Sequence, residues 1–571
     1  MVGSGCYERV GLYLQKFTLS MKKIPAVTVL FCLLTIASFA QPTPATIANN
    51  NAGGARAKLV IGLMVDQMRW DYLYRYNKLY SSGGFKRLLT QGYSFENTMI
   101  PYTPTYTAPG HACVYTGSVP AIHGIVGNNW FNKESNSYAY CTGDSTVATV
   151  GSGTNAGKMS PANLWTTTVG DELKLSNNFK SKVIGISLKD RGAILPAGHS
   201  ADAAYWYDDA VGKFITSTYY LQELPAWVNE FNKKDLAGNY MSKDWNTLYP
   251  INKYVLSSRD SNAYEVPIPG ERAPVFPHKL SAIANGKYSS FKYTPHASTY
   301  SFDFAKAAID GENLGAGAAT DILALSISAT DYIGHNFGPN SIEIEDTYYR
   351  LDKDIADFLI YLDKKIGKNN YLLFLTADHG VAHVPAFLSE HKIPGGTFDD
   401  GPIIRELNSS LAGAYGVENI IQGALNYQFY LDLAKIEKAG KDLAGIKATI
   451  IKKLKEQPYI VAAFETSQLA TATLTPTQKQ MMVNGYNPVR SGDIMYTVKP
   501  GYFDGGTKGT THGLWNPYDA HIPNVWFGWG IKAGRSHRET FMTDIAPTLS
   551  ALLKIQAPNG NVGEVLEEIV R

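Results

Sequence analysis

Six residues in this sequence have side chains of the kind that hold divalent metal ions. They are Asp66, Asp331, His335, Asp378, His379 and His512. Carboxylate oxygens and neutral imidazole nitrogens are ligands that zinc takes in proteins. Asp331 and His335 are four residues apart in ATDYIGHNFGP, where two glycines let the backbone turn so that both side chains converge. Asp378 and His379 are adjacent, so they could serve two metal ions, or a single ion through a turned loop.

Each of these residues taken alone is also typical of a turn or a helix cap. Their recurrence in one chain, with His512 between glycines in GTTHG, favours a metal site. Three further histidines near these motifs, His111, His123 and His383, are expected to have supporting or structural roles.

Thr107 has the position of either a helix cap or a nucleophile. It precedes Ala108-Pro109-Gly110, and Pro is favoured in the first turn of a helix. Thr at that position predicts an N-cap. A helix N-terminus also binds anions, so the hydroxyl could instead face a bound phosphoryl group. This stretch alone leaves both interpretations open.

Several of the candidate polar residues follow directly after continuous apolar runs, which are typical of buried parallel strands. The runs are 58–65, 182–187, 321–328 and 371–376, with a further candidate at 523–528. They lead into Asp66, into Lys189 and Arg191, into Asp331, and into Asp378. Open α/β sheets bind ligands at the carboxyl ends of their strands, so four such runs predict one shared site.

Helical periodicity separates the runs. Apolar residues from Leu351 to Ile366 recur at spacings of three and four, and 542–553 predicts a C-terminal helix. The alternation predicts an α/β fold, a three-layer sandwich with a central, mostly parallel sheet. Residues 58–571 would form one catalytic domain, in which 205–293 and 386–502 break the pattern and are expected to be insertions that cap the site.

The first 40 residues predict a targeting segment. A basic start at Met21 is followed by an apolar run at 27–36 and small residues up to Ala40, which favours a signal peptide cleaved near Ala40 and a periplasmic or secreted bacterial protein. The run is too short to span a membrane, so no stable membrane anchor is expected. Either Met1 or Met21 could be the true start. Residues 41–57 predict a disordered lead-in.

Composition narrows the possible partners. Lys and Arg number 52 against 50 Asp and Glu, so the sequence carries no electrostatic signal for a nucleic-acid partner. Hydrophobic residues make up 44% of 571, enough for a large core. After Ala40 only Cys113 and Cys141 remain; they could pair in an exported protein, or stay as two buried thiols.

Seven motifs, in order, resemble the alkaline phosphatase superfamily with its type I phosphodiesterase/nucleotide pyrophosphatase-like members. Within it the chain is most similar to the phosphate-irrepressible alkaline phosphatases, zinc enzymes exported by bacteria. The resemblance runs from about Lys58 to the C-terminus. The motifs are VDQMRWDYL, PTYTAPGHACVYTG, HGIVGNNW, SLKDRGAILPAGH, TDYIGHNFGP, TADHG and THGLWNPYDAHIP.

The resemblance implies two Zn²⁺ per chain and assigns a role to each candidate residue. The first zinc would be held by Asp331, His335 and His512, and the second by Asp66, Asp378, His379 and Thr107. Thr107 would be the nucleophile. Asn128 and the N–H after Thr107 would hold a phosphate oxygen, and Lys189 and Arg191 would contact the other oxygens of the phosphoryl group.

The expected activity is hydrolysis of small-molecule phosphate monoesters by a monomer, through a covalent phospho-threonine. Such hydrolysis can need an acceleration of about 10²¹-fold, whereas one acid or base gives about 10²–10⁴-fold, so a metal pair with a covalent step is favoured. Lys189 and Arg191 can neutralise the extra anionic oxygen of a monoester, which favours monoesters over diesters.

Three alternatives are weighed against this activity. A phosphodiesterase or nucleotide pyrophosphatase would share the metals and the Thr nucleophile. A sulfatase would need Cys or Ser in C/S-x-P-x-R, where this chain has Thr107. A metal-bound protein without catalysis would use the aromatic-rich insertion as a binding face.

Overall fold

The computed structural model of the chain describes residues 56–133, 135–283 and 285–570. The predicted signal peptide lies outside the described residues, as does the predicted lead-in except for its last two residues. Of those two, Ala57 is buried and its carbonyl accepts a hydrogen bond from Thr320 Oγ1.

The described residues contain nineteen β-strands. They are β1 Leu59–Val65, β2 Tyr93–Met99, β3 Asn129–Asn132, β4 Ser137–Tyr140, β5 Thr149–Val150, β6 Val183–Ile186, β7 Ala203–Asp208, β8 Lys213–Ser217, β9 Asp321–Ile327, β10 Tyr371–Thr376, β11 Gly396–Phe398, β12 Ile421–Leu425, β13 Gln428–Leu431, β14 Ile460–Glu465, β15 Ile494–Val498, β16 Tyr502–Asp504, β17 His521–Ile522, β18 Asn524–Gly528 and β19 Gly534–Phe541.

Twenty α-helices of four or more residues lie in the same described part of the chain. They are Tyr72–Arg75, Phe85–Gln91, Thr107–Thr116, Pro120–His123, Val169–Ser176, Asp190–Ala197, Ala226–Lys233, Leu236–Met241, Lys287–Phe291, His296–Gly311, Ala329–Phe337, Ile342–Leu362, Pro385–Glu390, Asp400–Tyr415, Leu433–Lys438, Leu443–Lys455, Pro476–Gly485, Pro517–Ala520, Ile545–Leu553 and Glu567–Val570. None of the helices in the described residues has both the length and the apolar character needed to cross a membrane.

One eleven-stranded sheet organises the molecule. Its order is β17-β2-β18-β10-β1-β9-β6-β7-β8-β5, with β19 paired to β2. The central strands β10, β1, β9, β6 and β7 run parallel. The run at 523–528 forms β18, which is antiparallel to β10. The predicted α/β fold with a mostly parallel central sheet is therefore confirmed.

Helices cover both faces of the central strands. Every residue of β1, β9 and β10 is buried, and successive strand residues point to opposite faces, so neither face meets solvent. The helix Ile342–Leu362 buries the apolar stripe that its periodicity predicts, including Leu351, Ile355 and Phe358.

The two segments predicted as insertions differ in how they relate to the sheet. The first, 205–293, begins inside it, because β7 pairs with β6 and β8 pairs with β7. The aromatic, mixed sequence of β7 (AAYWYD) lacks the aliphatic run that marks the other central strands.

The second segment, 386–502, contains a separate four-stranded sheet, β12-β13-β15-β14. Helices Asp400–Tyr415 and Leu443–Lys455 pack on this sheet around their own apolar core, which includes Leu411 and Ile450.

Candidate active site

The candidate ligands meet because their strands are neighbours. β1 lies between β10 and β9, and β6 lies beyond β9. Asp66 follows β1, Asp378 follows β10, and Lys189 follows β6, while Asp331 lies in the first turn of the helix after β9. Four parallel carboxyl ends therefore place these side chains at one edge of the sheet, as the sequence predicted for this fold.

Asp331, His335 and His512 form one compact group. Their ligand atoms lie within 4.8 Å of one another. Nε2 of His335 is 3.2 Å and Nε2 of His512 is 3.7 Å from Oδ1 of Asp331. This is the same set of residues that the resemblance assigns to the first zinc.

A second compact group consists of Asp66, Asp331 and His379, again within 4.8 Å. Nε2 of His379 is 3.6 Å from Oδ1 of Asp66 and 3.4 Å from Oδ2 of Asp378. Asp331 thus lies in both groups, whereas the resemblance assigns Asp378 to the second zinc. Asp378 and His379 are adjacent in sequence, and both side chains lie at this second group.

The three imidazoles are oriented in the same way. In each, Nδ1 lies 2.7–2.9 Å from a backbone carbonyl, which can only accept, so Nδ1 donates and Nε2 is the nitrogen left to face the ligand groups. The pairs are His335 with Thr510, His379 with Gly380, and His512 with Thr105. Burial and the neighbouring His379 and His335 hold the pKa of His512 well below its ordinary value, so its ring is neutral.

Two carboxylate oxygens of the site have no hydrogen-bond partner although they are buried. They are Oδ1 of Asp66 and Oδ2 of Asp378. Burial, with the nearby charge of Asp378, raises the pKa of Asp66 well above its usual range. A buried carboxylate oxygen without a partner costs folding free energy, and a bound cation can serve as that partner. The oxygen and nitrogen donors therefore fit divalent metal ions such as zinc.

Thr107 is the first residue of the helix Thr107–Thr116, so its prediction as an N-cap is wrong. The N-cap is Tyr106, whose backbone is extended (φ −116°, ψ 163°), and no side chain caps this end. Thr107 is 1% exposed, and its Oγ1 lies 3.4 Å from Nε2 of His379. The hydroxyl therefore faces the metal-type ligands instead of the helix backbone.

Gly110 allows this helix to pack directly on a candidate ligand. A Cβ on Gly110 would lie 2.6 Å from both Cβ and the carbonyl oxygen of Asp378. Any larger residue would push the helix, and Thr107 with it, away from the site.

Gln67 is a site residue that the sequence analysis did not single out, although it lies in the VDQMRWDYL motif. Its backbone N–H donates to Oδ1 of Asp378 (3.1 Å), and its side-chain Nε2 donates to Oδ1 of Asp331 (2.6 Å). Gln67 has a φ of 63°, a left-handed conformation uncommon for residues other than glycine. A Cβ on Gly334 would lie 1.8 Å from Oε1 of Gln67, so this glycine makes room for the amide.

Asn128 contacts the nucleophile segment from the side. Its Oδ1 accepts a hydrogen bond from the N–H of Ala108 at 3.0 Å. The N–H that was expected to hold a phosphate oxygen therefore donates to Asn128, which lies beside Thr107 as expected.

Lys189 lies between two candidate ligands. Its Nζ is 2.7 Å from Oδ2 of Asp66 and 2.5 Å from Oδ2 of Asp331, and the residue is 3% exposed. Although burial lowers it, the pKa of Lys189 is raised above its ordinary value by Asp331 and Asp66. The ammonium is charged and is held at the centre of the carboxylates.

Arg191 has an open hydrogen-bonding position. Its Nη1 donates to the hydroxyl of Tyr140 at 3.1 Å, and its buried Nε has no partner. Asp190, between the two cations in sequence, instead accepts hydrogen bonds from Tyr140 and Thr142.

The other histidines named from the sequence have different surroundings. Nε2 of His111 is 2.9 Å from Oγ of Ser326, and its Nδ1 is 2.9 Å from the carbonyl of Thr107. Burial and Arg490 lower the pKa of His123 to about 3. His383 contacts Arg69 and Asn340 and takes no part in the two ligand groups.

Known proteins are similar to this chain in sequence and in fold. The family model of the type I phosphodiesterase / nucleotide pyrophosphatase matches residues 60–521. The alkaline phosphatase PhoV of Synechococcus elongatus is 51% identical over 517 residues, covering 90% of this chain and 94% of PhoV. The alkaline phosphatase PafA of Elizabethkingia meningoseptica is 49% identical over 518 residues, covering 90% and 95%.

A crystal structure of wild-type alkaline phosphatase PafA superimposes on this chain with a TM-score of 0.89 at 49% identity, covering 91% of this chain and all (100%) of that one. The family model spans most of the sequence, and the relatives match nearly along their whole length. This chain is therefore a member of the type I phosphodiesterase/nucleotide pyrophosphatase family, in the alkaline phosphatase superfamily.

Proposed function

We propose that this chain is a zinc-dependent alkaline phosphatase that hydrolyses phosphate monoesters through a phospho-threonine on Thr107. The observation that carries the proposal is the Thr107 hydroxyl, which caps no helix and lies 3.4 Å from His379 within a buried group of carboxylates and imidazoles. The activity named for PhoV and PafA supports it.

The proposed metal sites follow from the chemistry of the grouped carboxylates and imidazoles. Asp331, His335 and His512 would hold one zinc ion, and Asp66, Asp378, His379 and Thr107 the other. When bound, the ions would supply Lewis-acid stabilisation of negative charge and lower the pKa of the Thr107 hydroxyl. Asp331 belongs to both groups of ligand atoms, and Asp66 and Asp378 each have one oxygen without a hydrogen-bond partner. Both observations support two adjacent metal sites.

Thr107 performs the covalent step. Its Oγ1 forms the bond to phosphorus as the ester P–O bond breaks and the alcohol leaves. Water then attacks phosphorus, the Oγ1–P bond breaks, and inorganic phosphate leaves with Thr107 restored. The N-terminus of the helix Thr107–Thr116 would favour the negative charge of the phosphoryl group through its dipole.

Two cations would select monoesters over diesters. Arg191 presents an unpartnered Nε beside Lys189, and a guanidinium can bind a phosphoryl group through two parallel hydrogen bonds. A terminal phosphoryl group carries the additional anionic oxygen that these cations neutralise, whereas a diester has an ester substituent there. Asn128 would position a further oxygen next to Thr107.

We further propose that the protein acts outside the cytoplasm as a monomer. The basic start at Met21, the apolar run and the small residues before Ala40 support export and cleavage there. Periplasmic or secreted location would expose the enzyme to small phosphate esters.

The experiment compares an aryl phosphate monoester with the matching bis-aryl diester. Protein starting after Ala40 is loaded with zinc, and Thr107→Ala is assayed beside it. The expected monoester preference is roughly several hundred-fold or more in kcat/KM, and both activities disappear in the variant. Thr116→Ala, in the last turn of the same helix, is the control that keeps activity, because its hydroxyl bonds only to the backbone of Ala112 and Ser118.

A diester preference would overturn the roles of Lys189 and Arg191 and would favour the phosphodiesterase alternative. Full zinc content without turnover of either ester would favour a binding protein that has lost catalysis.

A further inference from the structure

A cavity of about 230 Å³ opens beside the candidate active site. Its walls combine aromatic rings and carboxylates, namely Tyr106, Tyr427, Tyr496, Asp400 and Asp504. None of the described residues that line it is Lys, Arg or His. The cavity is therefore the anionic counterpart of the neighbouring phosphoryl site, which contains Lys189 and Arg191.

Two wall residues join this cavity to the site. Tyr106 directly precedes Thr107, and its ring lies edge-on to the imidazole of His512, with centroids 5.5 Å apart. Asn128 also lines the cavity and bonds to the N–H of Ala108. The alcohol part of an ester attacked by Thr107 can therefore extend into this space.

The second insertion fixes the opposite wall. Asn426 and Tyr427 form the two-residue turn between β12 and β13, and both have a φ of 59°. Such turns favour Asn followed by Gly, so Tyr in the second position is a costly choice. The turn is anchored, because Nδ2 of Asn426 donates to the carbonyl of Asn129 at 2.9 Å. Gly127 makes space for the Asn426 side chain, since a Cβ at residue 127 would lie 2.5 Å from that Nδ2.

The carboxylates need a positive partner. The hydroxyl of Tyr496 donates to Asp400 at 2.6 Å, but it brings no positive charge. Burial, together with the charges of Asp504 and Asp399, raises the pKa of Asp400 to about 7 despite the Tyr496 hydrogen bond, which lowers it. A cation in the cavity would relieve this repulsion, whereas a neutral hydroxyl would not. Tyrosine faces also attract ammonium groups.

We propose that this cavity binds an ammonium group on the alcohol part of the substrate, so that the preferred substrates are phosphate monoesters of amino alcohols. The inference rests on the proposed function, because it places the phosphoryl end of the same molecule at Thr107. The two ends of a zwitterionic ester then meet two regions of opposite charge. An alkyl phosphate of equal shape with an uncharged alkyl group would gain only the phosphoryl half of this binding.

The test uses two alkyl phosphates of nearly the same shape, 2-(trimethylammonio)ethyl phosphate and 3,3-dimethylbutyl phosphate, whose alkyl group is uncharged. Their leaving groups differ in intrinsic reactivity, so the quantity measured is the change in the ratio of their kcat/KM values between wild type and Asp400→Asn/Asp504→Asn. We expect the double variant to reduce the preference for the cationic ester by about tenfold. Both substitutions keep side-chain shape, and turnover of an aryl phosphate whose aryl group carries no positive charge shows that the variant is folded.

Asp442→Asn is the matched control. It removes a carboxylate from an exposed helix cap of the same insertion, away from the cavity, and it should leave the ratio unchanged. If the double variant changes the ratio no more than this control, the inference is wrong while the proposed phosphatase function stands.

Calorimetric titration with 2-(trimethylammonio)ethanol tests the cavity without any turnover. Binding to wild type that weakens about tenfold in the double variant supports the inference. Absent or equal binding overturns it. If no phosphate monoester is hydrolysed at all, the proposed function fails, and the titration still decides whether the cavity binds ammonium groups.

Discussion

Gln67 donates a 2.6 Å hydrogen bond from its side-chain Nε2 to Oδ1 of Asp331. Its backbone N–H meanwhile binds Oδ1 of Asp378 at 3.1 Å. Asp331 and Asp378 follow strands on opposite sides of β1, and Gln67 is the second residue after β1. One residue therefore orients a carboxylate from each neighbouring strand toward the proposed metal centre.

Replacing Gln67 should weaken metal binding. Loss of a hydrogen bond that orients a metal ligand costs about 10–100-fold in affinity, so Gln67→Ala is expected to release zinc faster to a chelator. Gln67→Gly removes the side chain while easing the positive φ, so an equal loss in both variants would identify the amide as the cause. Gln222→Ala, at an exposed glutamine, is the control. Unchanged zinc release in both Gln67 variants would contradict this role.

Gly110→Ala should disturb the site through packing. The added Cβ would lie 2.6 Å from Asp378, so the helix carrying Thr107 must shift. We expect a loss of about 1–3 kcal/mol in the free energy of unfolding and a fall in kcat, measured by denaturant titration and by aryl phosphate turnover.

Gly413→Ala is the matched control for Gly110→Ala. It adds the same methyl group to a helix position with nothing within 4 Å, and it should stabilise the protein by about 0.5–1 kcal/mol. Equal effects of the two substitutions would show that the close approach to Asp378 is unimportant.

Lys189→Ala should reduce turnover of monoesters more than that of diesters. Hydrogen bonds to charged groups contribute about 1.5–3 kcal/mol, which predicts a loss of about 10–100-fold in monoester kcat/KM. Lys292→Ala removes a cation that lies over the same Tyr332 ring but pairs with Asp209, so it should leave the monoester to diester ratio unaltered. A proportional loss for both esters in Lys189→Ala would argue for a purely structural ammonium.

Stability should fall as the pH rises from about 6.5 to about 9. Burial alone would lower the pKa of His278, but hydrogen bonds and charge from Glu271 and Glu343 raise it to about 9, above its ordinary 6.5. The folded state therefore holds a proton that the unfolded state releases, and the stabilisation present below pH 6.5 is lost as the pH rises through 9. We expect a loss of about 1–3 kcal/mol between pH 6.5 and 9.5 in urea unfolding.

His278→Gln should flatten that pH profile while lowering stability at pH 6.5. His391→Gln, at an exposed histidine, should keep the wild-type profile. Parallel profiles for wild type and His278→Gln would assign the pH dependence to other groups.

Cys113 and Cys141 should behave as two buried thiols. Both are free and buried in the structure, and burial raises the pKa of Cys141 to about 12, so little reactive thiolate forms. Protein starting after Ala40 should react with a thiol reagent only when unfolded, at two thiols per chain. The unfolding temperature should not depend on reductant. No reaction of the unfolded chain without reductant would show a disulfide instead.

The sequence predicted the central fold because its signals are local. The apolar runs at 58–65, 321–328 and 371–376 became β1, β9 and β10 with bounds that differ by no more than one residue at either end. A strand covered on both faces must be apolar throughout, so such a run is visible without any neighbour. β7 was missed as a sheet strand because its aromatic sequence does not show that pattern.

The helix start at Thr107 shows where local signals fail. Thr before Ala-Pro is a good cap by residue type, yet the extended Tyr106 is the N-cap and Thr107 is already the first residue of the helix. The direction of that hydroxyl depends on two contacts: Gly110 packs against Asp378, and His379 lies next to Thr107. Asp378 and His379 are more than 260 residues away from this helix in sequence.

By itself the sequence determined the fold class, the candidate ligands after the strand ends and the resemblance carried by seven motifs. Only the tertiary structure decided which groups touch. Lys189 lies between Asp66 and Asp331, and Gln67 donates to two carboxylates. The turn between β12 and β13 is bonded to Asn129. The physical reason is that strand and helix patterns arise from neighbours along the chain. Site contacts instead join side chains up to several hundred residues apart, and their distances are set by strand order and by glycine-sized gaps that no single segment encodes.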